Sequence, residues 1–244
     1  MGILMNSDTA CLARGWGREL QDWLDHGAYR HHARLQRLDS LYEEEPFERY
    51  LDVGCGSGAL LEHFLRRGVS GVGIDLAPAV TAHHSGSPIP AFRANVDDIP
   101  FRDQSFDFIT CLGLIEHLED PIAALSELLR VTEPGGRAFI TVPRMTGVFP
   151  LLVPFWFFTG GRHRFGWKNM VGAMYTRSLL ERQLVESGWE IEYIAPFKGS
   201  SVLEWLHIPF REKISDFVEN NPIVRGLLSI MLVAVCRKPE EAVQ

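Results

Sequence analysis

The fold of this chain is decided by the stretch Leu51-Asp52-Val53-Gly54-Cys55-Gly56-Ser57-Gly58, together with Asp75, seventeen residues further on. The stretch lies between a predicted strand, 49–53, and a predicted helix, 59–67. Its three glycines at alternate positions let the backbone turn sharply and approach a ligand with no Cβ in the way. Asp75 ends the next predicted strand, where its carboxylate can accept hydrogen bonds from both hydroxyls of a ribose. The loop and its acid therefore predict a ligand that contains a ribose.

Two other interpretations of this glycine loop are weaker. One is a tight strand–helix turn with no ligand, but glycines at these positions are costly unless something approaches them closely. The other is a dinucleotide-binding dehydrogenase. The dehydrogenase fingerprint is GxGxxG, whereas this loop is GxGxG and follows an acidic residue.

Strand and helix patterns alternate along most of the chain. Predicted strands 49–53, 72–76, 91–96, 106–112, 137–142, 189–196 and 228–237 are interspersed with predicted helices 59–67, 78–83, 121–131 and 176–187. The apolar runs of the strands are continuous, as in parallel strands that are buried on both faces. Right-handed crossovers between such strands give a doubly wound, Rossmann-like α/β fold with a seven-stranded sheet.

Size and charge narrow the class of protein further. A chain of 244 residues, 46% of them hydrophobic, is large enough to close one core. The net charge of -7 argues against a nucleic-acid partner. Four scattered cysteines are typical of reduced thiols in the cytoplasm. The sequence shows neither a signal peptide nor the apolar run of roughly 20 residues that a membrane span needs. We therefore expect a single cytoplasmic domain.

Five ordered motifs resemble those of class I S-adenosylmethionine (SAM)-dependent methyltransferases. They are LDVGCGSG at 51–58, GIDL at 73–76, NVDDIPF at 95–101, SFDFI with EHLEDP within 105–121, and LLRV with EPGG within 128–136. The resemblance covers about residues 49–143 and resumes at 175–194. It implies SAM as the cofactor and methyl transfer as the activity.

The resemblance also implies which residues bind the methionine and ribose parts of SAM. The loop residues Gly54, Cys55, Gly56 and Gly58 would hold the methionine part through their backbone, with Asp52 supporting the loop and the amino end. Asp75 would bind the ribose hydroxyls.

Further matching residues would surround the adenine and the sulfonium. Leu76 would pack on the adenine, Asn95 would contact its amino group, and Val96 would offer a backbone N–H. Asn95 departs from the family, which often has Asp here, but an amide oxygen accepts the same hydrogen bond. Cys111 and Leu112, at the end of the fourth strand, would lie near the sulfonium.

The resemblance divides the predicted single domain, 1–244, into four segments. A helical leader (1–48) precedes a SAM-binding core (49–143), an aromatic lid insertion (144–175) and a C-terminal part (176–244) with a helical insertion at 198–226. Helical spacing of apolar residues indicates the leader helix at Trp16, Leu20, Trp23 and Leu24, and the second insertion at Leu206, Phe210, Ile214, Phe217 and Val218. The connections 144–175 and 198–226 are long, and connections of this length are usually functional or carry their own structure.

The candidate catalytic residues are His117 and its neighbour Glu116. Methyl transfer needs alignment and exclusion of water, so a dedicated catalytic residue is optional. A hydroxyl acceptor benefits from a general base, and His117 follows the fourth strand directly. The alternative is that the pair only stabilises a turn. Some members of the family bind a metal through Glu-x-x-Glu-His, but Gly113 occupies the first position here, and we predict no metal.

The aromatic insertion is the best indicator of the methyl acceptor. Candidate substrate residues are Phe155, Trp156 and Phe158, with His163 and Arg164 as polar anchors. Because ligand pockets are mostly apolar with few polar groups, we expect a hydrophobic or aromatic small molecule, and O-methylation is the favoured reaction.

Other roles for the insertion stay open at this stage. It could pack on the leader, form a homodimer face, or rest on a membrane surface to collect a lipid or quinone. A SAM-binding partner subunit without turnover is a further alternative, since the glycine loop predicts binding and not catalysis.

Overall fold

The computed structural model describes residues 32–144, 173–197, 214, 217–218 and 220–240. Helices and strands alternate in the described chain, with the bounds α1 His32–Glu44, β1 Arg49–Val53, α2 Ala59–Leu65, β2 Ser70–Asp75, α3 Pro78–His83, β3 Ala91–Arg93, β4 Phe106–Leu112, α4 Pro121–Val131, β5 Thr132–Pro143, α5 Arg177–Glu186, β6 Glu190–Phe197, α6 Pro222–Leu228 and β7 Met231–Arg237. A single 3₁₀ turn, Ile115–His117, follows β4.

The strands form a seven-stranded sheet in the order β3-β2-β1-β4-β5-β7-β6. The strand β1 lies parallel to β2 and β4, and β2 lies parallel to β3, so the Rossmann-like prediction is confirmed. The β6–β7 pair is antiparallel, which the prediction of an all-parallel sheet missed. Phe197 ends β6 directly opposite Met231, the first residue of β7, and the Phe197 N–H donates to Ser229 Oγ at 2.8 Å. The strand β7 therefore begins at the same edge of the sheet at which β6 ends, and two strands connected in this way pair antiparallel.

The bounds of one helix and two strands differ clearly from the predicted bounds. The helix α2 ends at Leu65 and not at residue 67, because the chain already turns toward Gly68, whose φ is +86°. The strand β3 ends at Arg93, and β5 begins at Thr132, five residues before the predicted start at 137.

The helix α6 was not predicted, and the last strand begins at Met231 and not at 228. The sequence did contain a start signal for this helix. Asn221 accepts hydrogen bonds from the backbone N–H groups of Ile223 and Val224, both at 3.1 Å, and Pro222 occupies the first helical position. The continuous apolar run of α6 and β7 concealed that boundary.

The described residues belong to two compact units. Residues 32–111 and 126–137 with Glu240 form the first unit, and residues 112–125 and 138–239, as far as they are described, form the second. That residues 1–244 form a single domain stays a prediction.

Aromatic packing builds the core of the first unit. Phe47 stacks on Phe108 with ring centroids 4.2 Å apart, and Phe64 packs edge-on to Phe47 at 4.9 Å. The buried Arg137 donates from Nη2 to the carbonyls of Leu41 (3.2 Å) and Glu45 (2.8 Å). These contacts anchor the C-terminal end of α1 on the same unit as the glycine loop.

Buried side chains of α5 and β6 form part of the core of the second unit. Thr176 caps α5 by accepting a hydrogen bond from Leu179 N, and Leu180 and Leu184 are buried on its inner face. The indole N–H of Trp189 donates to Leu125 O at 3.0 Å. None of the helices in the described part of the chain combines the length and the apolar character needed to cross a bilayer.

Candidate functional site

The glycine loop leaves β1 in a conformation that only glycine adopts readily. Gly54, Gly56 and Gly58 have φ angles of +73°, +48° and +69°. Residues with a Cβ rarely adopt this left-handed region. The N–H groups of Gly54 and Cys55 donate to Ile74 O in the neighbouring strand β2, at 2.8 and 3.1 Å. The loop is therefore fixed against the sheet, and its glycines are required by backbone geometry.

Asp75 lies at the end of β2, as predicted, and its carboxylate contacts the loop. Its Oδ2 atom accepts a hydrogen bond from Gly56 N at 3.2 Å, and Oδ1 accepts one from Ala77 N at 2.8 Å. Burial raises the pKa of Asp75, while the two N–H donors and His84 oppose that rise. A carboxylate has about four acceptor positions, so two remain for a pair of hydroxyls.

Asp52 is buried at the end of a hydrogen-bond chain. Thr110 Oγ1 donates to Asp52 Oδ1 at 2.7 Å, and the Tyr50 hydroxyl lies 2.6 Å from the same Thr110 oxygen. Burial is the main reason that the pKa of Asp52 rises to about 6, and the charge of Asp75 raises it further. The Thr110 hydrogen bond and the positive charge of Arg34 hold it down.

Ser57 and Arg34 add two groups that the sequence reasoning did not assign. Ser57 Oγ is buried and has no hydrogen-bond partner within the described part of the chain. A buried polar atom of this kind needs an explanation, and a ligand supplies one. Arg34, on α1, is close enough to Asp52 to lower its pKa. The loop and its surroundings thus combine a hydroxyl, carboxylates and a cation, which fits the amino acid and ribose parts of SAM.

The segment predicted to border adenine is held by a cluster on α4. Arg130 donates to Ile99 O and Phe101 O, both at 3.0 Å, and Glu127 Oε1 accepts from Ile99 N at 2.9 Å. Arg130 also bonds Glu127 and Asp103. These hydrogen bonds raise the pKa of Arg130 further and lower that of Glu127. The sequence signal was a Glu and an Arg three residues apart on one helix, a spacing that places them side by side.

Asn95 begins that segment and is already engaged locally. Its side-chain oxygen accepts from Asp97 N at 3.4 Å, and its amide nitrogen donates to Asp97 Oδ2 at 3.3 Å. Val96 is buried, and Leu76 O accepts a hydrogen bond from Arg93 Nε at 3.2 Å. The predicted adenine contacts of Leu76, Asn95 and Val96 stay predictions.

The two cysteines of the predicted site have their side chains in the core of the first unit. Cys55 packs with Val80, and a Cβ added to Gly73 would lie 2.7 Å from Cys55 Sγ. Cys111 is fully buried on β4, in register with Val53. Their predicted cofactor contacts would therefore be made through the backbone. Leu112, the first residue of the second unit, is half-buried.

Glu116 and His117 lie together in the 3₁₀ turn of the second unit. His117 Nε2 is 3.9 Å from Glu116 Oε1, and Glu116 is 6% exposed. Burial lowers the pKa of His117, which favours the neutral imidazole that a general base needs. Glu116 O accepts a hydrogen bond from Ala173 N at 2.7 Å. The described chain on the C-terminal side of the aromatic insertion thus begins beside the candidate base.

Several predicted site residues cannot be placed. Phe155, Trp156, Phe158, His163 and Arg164 lie outside the described residues, as do Trp16, Leu20, Trp23 and Leu24 of the leader. Of the five apolar residues that indicated a helix in the second insertion, Ile214 and Phe217 are described and exposed, and Val218 is described and buried. Within the described ranges no group of three or more His, Cys, Asp or Glu side chains is arranged to hold a metal ion.

A doubly wound sheet with a glycine loop after β1 and an acid that ends β2 is typical of proteins that bind a cofactor containing a ribose. A comparison of the chain with models of known protein families identifies the class of protein. The model of the methyltransferase domain family matches residues 12–194. The chain belongs to the class I SAM-dependent methyltransferases, and its cofactor is SAM.

Named relatives support the same family, and a solved structure shares the fold. The chain is 36% identical over 120 residues to the ubiquinone biosynthesis O-methyltransferase of Hahella chejuensis, a match that covers 46% of this chain and 50% of that one. With the enzyme of the same name from Paracidovorax citrulli it is 34% identical, over 79% of this chain and 77% of that one. The fold is similar to that of a SAM-dependent methyltransferase from Archaeoglobus fulgidus, with a TM-score of 0.63, 17% identity, and coverage of 86% and 94%.

Proposed function

We propose that this protein transfers the methyl group of SAM to a hydroxyl oxygen of a hydrophobic or aromatic small molecule. The observation that carries the proposal is the glycine loop, with its three left-handed glycines, the buried Ser57 hydroxyl and the Asp75 carboxylate. The acceptor atom is inferred from the O-methyltransferases to which the chain is similar. The match spans about half of the Hahella relative's length.

Asp75, the loop backbone, Arg34 and Asp52 each have a proposed role toward the cofactor. Bound SAM supplies an electrophilic methyl group on a sulfonium. Asp75 accepts hydrogen bonds from the ribose hydroxyls, and the backbone of Gly54–Gly58 holds the amino acid part. Arg34 neutralises the carboxylate of that part, and Asp52 favours its amino group, because each charge is then paired with its opposite.

His117 is the proposed general base. Its lowered pKa keeps the imidazole neutral near neutral pH, so it can accept the proton of the acceptor hydroxyl. The Glu116 carboxylate, 3.9 Å away, stabilises the imidazolium that forms. We infer that Phe155, Trp156 and Phe158 line the acceptor site, with His163 and Arg164 as polar anchors.

The acceptor class that we favour is a phenol related to quinones, since the relatives bear the name ubiquinone biosynthesis O-methyltransferase. The test is transfer of a labelled methyl group to a panel of catechols, simple phenols, carboxylates and amines. We expect methyl ethers from catechols with an alkyl or prenyl tail, and slower turnover of catechols without one. Transfer to amines or carboxylates alone would overturn the acceptor class. Binding of SAM without transfer to any acceptor in the panel would favour the partner-subunit alternative.

Trimming Phe155–Phe158 to alanines tests the role of the aromatic insertion in the same assay. Loss of a buried aromatic ring costs about 3–5 kcal/mol at a packed site. The catalytic efficiency with the acceptor should therefore fall far more than the affinity for SAM. The unfolding midpoint is measured in parallel. Unchanged transfer with lost dimerisation or lost vesicle binding would assign the insertion to an assembly surface.

A second candidate is contact with a membrane surface, which one observation favours. Ile223 and Leu227, one helical turn apart on α6, are 74% and 62% exposed. Exposed apolar side chains on one helix face can insert into the lipid interface. Binding to phosphatidylcholine vesicles should weaken in the Ile223→Ser/Leu227→Ser variant and persist in Val185→Ser, which removes an equally exposed apolar side chain on α5. Sedimentation velocity on the same variants distinguishes a homodimer face. The cytoplasmic location stays a prediction.

A further inference from the structure

A buried histidine lies directly beneath the glycine loop and has no role in the function proposed so far. His84 follows the last residue of α3 and is 5% exposed. Its Nε2 atom is 2.9 Å from Gly56 O. Because a carbonyl oxygen can only accept, Nε2 must carry the proton and donate this hydrogen bond.

The same histidine packs against the next glycine of the loop. A Cβ added to Gly58 would lie 2.8 Å from His84 Cε1 and 3.2 Å from His84 Nε2. The methyl group of Ile89 would lie 3.1 Å from the same position. The imidazole therefore occupies the space that a side chain at position 58 would need, and the loop lies directly on the ring.

Both backbone groups of Gly56 are thus held by one short segment of the chain. Asp75 Oδ2 accepts from Gly56 N at 3.2 Å, and His84 Nε2 donates to Gly56 O. Asp75 ends β2, and His84 comes just after α3, nine positions later. Glycine at φ +48° has few steric restraints of its own, so hydrogen bonds orient the peptide groups on either side of it. Asp75 and the bond from Gly58 N to Cys55 O (2.8 Å) hold the Cys55–Gly56 peptide group, whereas His84 holds the carbonyl of the Gly56–Ser57 peptide group.

We propose that His84 is a positioning residue, whose Nε2–H holds the Gly56–Ser57 peptide group in the orientation that binds the methionine part of SAM. Without the donor, Gly56 O is buried without a partner, and the peptide group rotates to find another. The binding-competent loop is then only a fraction of the population, and the apparent dissociation constant rises in inverse proportion to that fraction. This inference rests on SAM as the ligand of the loop.

A pair of amide variants tests the proposal with little change in size. In His84→Gln the side-chain nitrogen can reach the position of Nε2, whereas in His84→Asn the side chain is one methylene too short. His84→Phe keeps a ring and removes the donor, and His83→Phe alters the exposed neighbour. The readouts are calorimetric dissociation constants for SAM and S-adenosylhomocysteine, with the unfolding midpoint of each variant.

We expect His84→Asn and His84→Phe to weaken SAM binding about tenfold, in line with the loss of one buried hydrogen bond. His84→Gln and His83→Phe should bind within about twofold of wild type. In turnover assays the KM for SAM should rise in His84→Asn while kcat at saturating SAM stays unchanged.

Each other outcome contradicts the proposal. Equal SAM affinity in His84→Asn and His84→Gln would show that the donor does not matter. If all His84 variants fail to fold, the histidine is a core residue and not a positioning residue. Wild-type protein that does not bind SAM would refute the cofactor itself, which is a different result from wild-type binding with unaffected variants.

Discussion

The glycine loop of the first unit and the Glu116–His117 turn of the second unit are both short, polar and close to the end of a strand, but they are organised differently. In the loop, Gly56 N donates to Asp75 at 3.2 Å, and the remaining polar atoms of the two residues bond Ala77 N and His84 Nε2 at 2.8 and 2.9 Å. In the turn, the two candidate catalytic side chains are 3.9 Å apart, beyond hydrogen-bond length. A binding site gains from being preformed, whereas a base must keep its proton-accepting atom accessible to the acceptor.

The largest effect that we expect from this comparison is the loss of SAM binding on substitution of Gly56. A valine there must adopt a φ near +48°, and its methyl groups occupy space beside the loop. We expect Gly56→Val to abolish SAM binding in calorimetry while the protein stays folded. Gly68→Val is the matched control, because Gly68 has φ +86° and an added Cβ there meets nothing within 4 Å. Normal SAM binding by Gly56→Val would reduce the loop to a turn.

A substitution in the Glu116–His117 turn should lower the rate of catalysis and leave the affinity for the cofactor unchanged. Loss of a general base lowers the rate by roughly 10²–10⁴-fold, and we expect this for kcat of His117→Asn with SAM affinity unchanged. Burial lowers the pKa of His117 below its usual 6.5, and only the neutral ring can accept a proton. Wild-type activity should therefore be lost as the pH falls through a value below 6.5, and the variant should lack that limb.

The control for this experiment is His83→Asn, which changes a histidine that is exposed. If the activity of His117→Asn falls only in proportion to its unfolding midpoint, and the acidic limb persists, the turn has a structural role alone.

Asp75 tests how much of the loop's affinity comes from one carboxylate. Charge-assisted hydrogen bonds are worth roughly 1.5–3 kcal/mol, so Asp75→Ala should weaken SAM binding at least about tenfold. Asp75→Asn keeps an acceptor for Ala77 N and should fold normally with intermediate affinity. An unchanged dissociation constant in Asp75→Ala would place the ribose site elsewhere.

Asp52 gives the smallest effect, and it is an effect on stability. Its pKa is about 6 in the folded protein, above the usual 3.8, so the folded state binds more protons between these values. This contribution to stability is fully present below pH 3.8 and is lost as the pH rises through about 6. At pH 8, Asp52→Asn should therefore raise the free energy of unfolding by about 1–3 kcal/mol. The gain should vanish near pH 4, and a pH-independent difference in unfolding experiments would contradict the assignment.

Sequence by itself determined the local features of the first unit. The bounds of β1, α3, β4 and α4, and the position of Asp75 at the end of β2, follow from apolar runs and from prolines at helix starts, which act over a few residues. The need for glycine in the loop is likewise local, because it concerns one φ angle at each position.

Only the tertiary structure decided which distant residues of the first unit meet around that loop and around the segment predicted to border adenine. His84 contacts Gly56 across 28 positions, Thr110 contacts Asp52 across 58, and Arg130 contacts Ile99 across 31. Strand order and helix packing determine these distances, and neither leaves a periodic pattern in the chain. The antiparallel β6–β7 pair was missed for the same reason, since strand direction depends on where the connection between the two strands returns to the sheet.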